Sequence, residues 1–386
     1  MPACSPNTPV FTGLFSAPQH HFGLFFSGIS QNTSDSCVPK TPPSTPRKPF
    51  NTKIPFASFA YAIAMSTKTP IVGFTRTPVG SPVLTDACVR VLGDRMPSNE
   101  EVIAFVPGLD ALVTMYTDRV DKALLDAAGP QLKIICNFAV GYDNIDISAC
   151  KNRGVIVCNT PDAVTEGTAN LAWLLVLATA RRLIEADRYA RSSAYPENGQ
   201  LGMNEFLGMD LCNKLMLIVG AGRIGYATAH RAKAFGMRIA YVARSRHLDF
   251  EMAPLGAKRM TLDEGLAAAD AVSVHTPLTE QTHHLINADN LKLLKKEAII
   301  VNTARGPVID EQALVDALDE DRLWGAGLDV YEQEPKIHPG LIANPRAILT
   351  PHIGSAEISW RRDMTEMVCA NVTAVLNAQE PPNRIA

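Results

Sequence analysis

Residues Leu215–Gly225 read LMLIVGAGRIG, an aliphatic run that stops at Gly220 and continues through Gly222 to Gly225. An unbroken apolar run bounded by glycine predicts a strand covered on both faces. The helical pattern YATAHRAKAFG and a second apolar run, MRIAYVA (Met237–Ala243), follow directly. In such a strand–turn–helix–strand unit the first glycine permits a tight turn. The second lets the backbone approach a pyrophosphate, and the third lets the helix pack on the strand. The N–H groups of Arg223, Ile224 and Gly225 open the helix without partners inside it, which makes them phosphate ligands. The unit predicts a bound dinucleotide.

The end of the second strand decides which dinucleotide. An acid there would accept hydrogen bonds from the adenosine ribose, as in NAD enzymes. The chain instead offers Ala243, Arg244, Ser245 and Arg246. No charge repels a 2′-phosphate, and guanidiniums match phosphate geometry with paired donors. NADP(H) is therefore the preferred cofactor and NAD(H) remains possible. The competing account is a strand end with two solvated arginines.

Outward from this unit the same style recurs. PIVGFT (Pro70–Thr75), ALVTMY (Ala111–Tyr116), LKIICNFAV (Leu132–Val140) and GVIVCN (Gly154–Asn159) precede it; AVSVHT, AIIVNT, GAGLDV and AILTPH follow. Helix-length amphipathic segments alternate with them, as in DEQALVDALDEDRL. This predicts the α/β class, with two Rossmann-like doubly wound parallel-sheet domains and an active-site cleft between them. The expected substrate-binding domain covers residues 69–164 and is completed by 354–386. The dinucleotide domain covers 165–353. A long helical pattern over Thr165–Ala190 would bridge the two.

Composition sets further bounds. The 386 residues are 46 % hydrophobic and 19 % charged with a formal net charge of −3, so neither nucleic acid nor an anionic membrane is an expected partner. The longest apolar run, Asn170–Ala180, is too short to span a bilayer. The 8 cysteines show no C-x-x-C spacing, which fits reduced thiols in a reducing compartment and predicts no metal site. Residues 1–68 differ from the rest. Up to Ala64 they are rich in Ser, Thr and Pro with Asp35 as the single acid, and KTPPSTPRKP (Lys40–Pro49) holds neither helix nor central strand. Such a disordered extension reads as an organelle transit peptide, plastid before mitochondrion. Alternatively Met65 is the start and the protein is cytoplasmic.

Three later segments, VNTARGPVID, GAGLDVYEQEP and LTPHIGSA, each place an ionisable side chain just past the carboxyl end of an apolar run: Arg305, Glu334 and His352. Open α/β sheets bind ligands at that end. Each alone is also explained as a surface arginine, a solvated carboxylate or a core histidine. Together with NFAVGYDNID (Asn137–Asp146) and NTPDAVTEGTANLAW (Asn159–Trp173), these motifs make the chain resemble the D-2-hydroxyacid dehydrogenases, and within them the glyoxylate/hydroxypyruvate reductases, from about Pro70 to the C-terminus.

The resemblance implies a catalytic triad on Arg305, Glu334 and His352. His352 would be the acid/base, Glu334 its orienting partner, and Arg305 the group that binds the substrate carboxylate and polarises the carbonyl. It implies a carboxylate cradle from the backbone of Val140 and Gly141. It also implies a dinucleotide site lined by Thr168, His275, Thr276, Pro277, Thr303, Ala304, Asp329 and Gly354, and a homodimer. The substrate would be a small 2-oxo acid such as glyoxylate or hydroxypyruvate, reduced to the D-2-hydroxy acid. Leu112, Met115 and Tyr116 would limit its size if they reach the cleft. Few cations adjoin the carboxylate loop in sequence, which disfavours a phosphorylated substrate. Trp360 would shape the pocket or meet another subunit. Departures from the family are the N-terminal extension and the missing acid after MRIAYV, the latter shared with NADPH-using reductases. The alternatives are another D-2-hydroxyacid dehydrogenase, such as a phosphoglycerate dehydrogenase, and a corepressor-like dinucleotide sensor.

Overall fold

The computed structural model describes residues 68–386. The extension proposed for the N-terminus, with its transit peptide and the alternative start at Met65, lies outside the described residues. The first sheet contains β1 (Ile71–Phe74), β2 (Cys88–Val91), β3 (Ala111–Thr114), β4 (Ile134–Asn137) and β5 (Ile156–Cys158) in the order β2-β1-β3-β4-β5. The second contains β6 (Leu215–Val219), β7 (Arg238–Val242), β8 (Lys258–Arg259), β9 (Ala271–Val274), β10 (Ile299–Asn302), β11 (Gly325–Leu328) and β12 (Ala347–Leu349). Its order is β12-β11-β10-β9-β6-β7-β8. All the pairings are parallel.

The central strands are buried along their whole length because each sheet has apolar packing on both faces. The edge strands β2 and β8 are mostly exposed, so they lack the double-sided apolar run that marks a parallel strand in sequence. The C-terminal helix, Ile358–Leu376, returns to the first sheet, where Met364, Val368, Val372 and Val375 pack with Val72, Ile134 and Cys136. Each such buried aliphatic contributes about 2 kcal/mol.

Two expectations are corrected. The helix expected over Thr165–Ala190 is two helices, Thr165–Ala180 and Leu183–Ala190, separated at Arg182 in the left-handed region with φ 53°. Tertiary partners take the first helix's last carbonyls. Trp324 Nε1 donates to Thr179 O at 2.9 Å and Met209 N to Ala180 O at 2.8 Å, so the helical ladder has nothing to continue onto. Leu112 is fully buried in the core of the first sheet and does not limit a substrate.

Candidate active site

A cavity of about 520 Å³ lies between the two sheets and takes its walls from both. On one side it meets residues just past β6, β7, β9, β10, β11 and β12: Ile224, Arg244, His275, Thr303, Asp329 and His352. On the other it meets Tyr116, past β3, and the loop Phe138–Asp143, past β4. In the second sheet β6 lies between β7 and β9, where the strand order reverses, and this is the position of the glycine turn.

At that turn Gly220 has φ 105°, and a Cβ on it would stand 2.7 Å from the His275 carbonyl carbon. A Cβ on Gly222 would meet nothing within 4 Å, so open space faces the turn where a pyrophosphate needs room. Gly222 caps the helix Arg223–Ala234 with no side-chain bond, leaving the first N–H groups available. The buried hydroxyls of Thr276 and Thr303 have no partner among the described residues, and both residues line the cavity with Thr168, Pro277, Ala304 and Gly354. Unmet donors and the open space at the turn suit a dinucleotide. Burial pushes the cavity-lining His275 down to about 3, and Ser273 Oγ meets its Nε2 at 2.8 Å, so this imidazole stays neutral.

The strand-end cations divide. Arg244 lines the cavity, whereas Arg246 donates through Nε to Glu251 Oε2 at 2.6 Å and does not line it. Glu251 also accepts from the Tyr241 hydroxyl at 2.8 Å, which anchors the carboxylate and holds Arg246 away. Ser245 is exposed and also absent from the cavity wall. The Arg223 side chain reaches Asp162 at 3.0 Å, leaving its backbone at the helix start. Arg259 on β8 was not anticipated. Its guanidinium donates to Ala243 O at 3.0 Å and Arg244 O at 2.9 Å, bracing the turn that carries Arg244.

The three triad residues converge. His352 Nδ1 and Glu334 Oε2 are 2.8 Å apart, and Glu334 Oε1 accepts from Tyr331 N at 3.1 Å. An ionised carboxylate only accepts, so Nδ1 donates to it, and Nε2, with no partner among the described residues, is free to exchange a proton with a ligand. His352 has φ 53°, an uncommon value for a residue with a Cβ, and Asp329 holds it there. Asp329 O accepts from His352 N at 2.9 Å, while its carboxylate accepts from Ile353 N and Gly354 N, each at 2.8 Å, and from Thr350 Oγ1 at 2.6 Å. Burial pushes the Asp329 carboxyl above the usual carboxylate range, against these bonds. Asp329 thus organises the histidine turn from behind as well as lining the cavity.

Arg305 crosses to the other wall, where its Nε donates to Asp143 Oδ1 at 3.1 Å. Its guanidinium lies against Gly141, whose Cβ, if present, would be 2.9 Å from Cζ. A side chain there would have to displace the arginine, whose guanidinium occupies that space. The carbonyls of Val140 and Gly141 accept from Asn159 Nδ2 at 2.8 Å and Asn137 Nδ2 at 2.7 Å. Their N–H groups have no acceptor among the described residues. Unpaired backbone donors beside a guanidinium form a carboxylate cradle.

Tyr116 lies over the histidine, with ring centroids 4.0 Å apart at 31°. Burial, helped by the Glu334 carboxylate, pushes its hydroxyl up to about 12, so it stays protonated. Met115 lines a smaller annex and Trp360 packs against Gly167, outside the main cavity. Arg361, from the first turns of the C-terminal helix, also lines the cleft and adds a cation that sequence neighbours of the loop do not reveal. Asp143 belongs to the loop motif Asn137–Asp146 without a role there being evident, whereas Arg259 and Arg361 carry no local motif; folding brings all three to the site.

Residues 173–354 match the family described as D-isomer specific 2-hydroxyacid dehydrogenase, NAD binding domain. A glyoxylate reductase of Thermococcus onnurineus is 49 % identical over 289 residues, covering 75 % of this chain and 86 % of that protein. One from Pyrococcus horikoshii is 45 % identical over 310 residues, covering 80 % and 92 %. Among solved structures, an NADPH-dependent glyoxylate/hydroxypyruvate reductase from Sinorhizobium meliloti, crystallised with NADP and malonate, superposes with a TM-score of 0.72. It is 31 % identical, covering 83 % of this chain and 97 % of that one.

Proposed function

The chain belongs to the D-isomer specific 2-hydroxyacid dehydrogenase family, in its glyoxylate reductase group, and we propose that it reduces glyoxylate and hydroxypyruvate with NADPH, using His352 as acid/base. The observation that carries this reading is His352, held at 2.8 Å by Glu334 behind it and lining the same cavity as Arg305 and Ile224 of the glycine turn. A bound nicotinamide supplies the hydride. The substrate carboxylate is held by the N–H groups of Val140 and Gly141 and by Arg305. Charge grows on the carbonyl oxygen as the carbon is reduced, and the Arg305 guanidinium stabilises it. His352 starts as the imidazolium, stabilised by Glu334 through Nδ1, donates its Nε2 proton to that oxygen and is left neutral.

Preference for NADPH is supported by Ala243 standing in place of an acid, by Arg244 facing the cavity, and by Arg259 fixing the backbone between them. A second copy of the chain is the proposed partner. Leu183, Ile184, Leu201 and Leu207, all exposed and apolar, are the surface offered for it, and sedimentation in solution tests the dimer. The purified protein should consume NADPH when given glyoxylate or hydroxypyruvate, followed by loss of nicotinamide absorbance. Equal rates with NADH would remove the cofactor assignment. Silence with every small 2-oxo acid, despite NADPH binding, would remove the reaction.

A further inference from the structure

Arg361 is the charged group of the cleft that the proposed reaction does not use. It sits in the first turns of the helix Ile358–Leu376, where a cation opposes the helix dipole, so helix stability does not explain it. Burial pushes its guanidinium below the ordinary arginine range, with Tyr116 as the neighbour acting in the opposite direction. Its Nε donates to Ser355 O at 3.1 Å, and its Cζ stands 6.0 Å from the Phe138 ring centroid. Among the described residues no carboxylate pairs with it. Arg76, at this end of the first sheet, pairs with Asp118 at 3.2 Å and Arg305 with Asp143 at 3.0 Å, while Arg244, the other cleft arginine without a carboxylate, is exposed to solvent. Only Nε has an acceptor; the two terminal nitrogens of this partly buried guanidinium, facing a ligand cavity, have neither carboxylate nor other oxygen among the described residues to offset their desolvation.

Its place relative to the substrate follows from the fixed points of the site. The carboxylate is anchored at Val140, Gly141 and Arg305, and the carbonyl oxygen faces His352. Tyr116 covers the His352 ring, and Arg361 acts on Tyr116 electrostatically. Arg361 and Phe138 also line a separate small cavity of about 50 Å³ next to the cleft, whose other walls include Thr75 and Met115. The substituent on C3 of a bound 2-oxo acid is therefore the part left to meet Tyr116 and Arg361.

We propose that Arg361, with the Tyr116 hydroxyl, binds an oxygen acceptor on C3 of the substrate, and so selects 2-oxo acids carrying a hydroxyl or a second carboxylate there over those with an alkyl group. This deepens the 2-oxo acid reductase assignment and rests on it. Arg361 is a specificity residue in this scheme; the proton still comes from His352.

Hydroxypyruvate and pyruvate form the decisive pair, since they differ only by the C3 hydroxyl, and glyoxylate, without a C3, is the reference. The intact protein should show kcat/KM for hydroxypyruvate above that for pyruvate by about 100-fold or more, because a site built to bond a hydroxyl rejects the analogue without it. In Arg361→Leu that ratio should fall by roughly 10–100-fold, the size of a lost charge-assisted hydrogen bond, while glyoxylate loses far less. Arg361→Lys, which keeps the charge, should recover part of the ratio. A native protein that treats pyruvate and hydroxypyruvate alike overturns the proposal, and needs no variant to show it. So does an Arg361→Leu enzyme, folded and binding NADPH, that loses glyoxylate and hydroxypyruvate activity equally, since that is a structural role. Absence of turnover with all three substrates would instead strike the reductase assignment itself.

Discussion

The two walls of the cleft are assembled by different means. On the dinucleotide side most groups facing the cavity, among them Arg244, His275, Thr303, Arg305, Asp329 and His352, sit one to three residues past a strand of a single parallel sheet, so the sheet's own geometry aligns them. On the substrate side the Phe138–Asp143 loop is shaped by Asn137 and Asn159, Tyr116 comes from another strand end, and Arg361 arrives from the C-terminal helix. The first wall repeats one structural rule. The second is a set of individual tertiary contacts, and it is there that one misplaced atom should disturb binding of a small acid most.

Removing the group at which the walls meet should have the largest effect. His352→Ala should lower kcat by about a thousandfold while NADPH binding, read by fluorescence titration, persists. Loss of NADPH binding along with activity would show that His352 instead holds the dinucleotide wall together.

The substrate wall is tested next by Gly141→Ala. Its methyl would occupy the space of the Arg305 guanidinium, so kcat/KM for glyoxylate should fall about 100-fold with the Kd for NADPH unchanged. A tenfold weaker NADPH complex would mean that the walls are not separable in this way.

On the dinucleotide wall, Arg244→Ala should raise KM for NADPH by roughly 10–100-fold and leave KM for NADH little altered. Arg246→Ala should do much less, since Glu251 already holds that side chain. Steady-state kinetics with both cofactors ranks the two arginines directly.

The smallest effect concerns His275, whose folded value of about 3 lies below the unfolded value near 6.5. Below pH 6.5 the unfolded chain binds a proton that the folded chain refuses, so stability falls as pH drops from 6.5 toward 3. The limiting slope is about 1.4 kcal/mol per pH unit. Urea midpoints for the native protein and His275→Gln between pH 6.5 and 4.5 should show the steeper fall in the native protein. Parallel curves would mean that this part of the wall is wetter than its burial implies.

How readily each wall was legible follows from the same contrast. Gly220–Gly225 and the polar residues after β9, β10, β11 and β12 stand in short motifs at strand ends, and a local pattern is enough to place them. Arg246 misled because its neighbour Glu251 competes for it five residues later, and no rule of sequence says which partner wins. Asp143 stands in a legible loop, but its partner Arg305 comes from the other sheet; Arg259 acts through the pairing of β8 with β7, and Arg361 reaches the cleft only because its helix packs on the first sheet. The helix pattern of Thr165–Ala190 continued smoothly through Arg181 and Arg182, yet Trp324 and Met209 captured the carbonyls that would have extended it.

By itself the sequence determined that parallel sheets would form, where the glycine turn would lie, and that Arg305, Glu334 and His352 follow strands. Those are consequences of residue type and near-neighbour spacing acting on a chain with few backbone options. Only the tertiary structure decided which cations face the cleft and which are spent on surface carboxylates, and what closes the pocket around Tyr116. Those outcomes depend on contacts between segments far apart in the chain, where desolvation and competing partners, rather than local geometry, set the free energy.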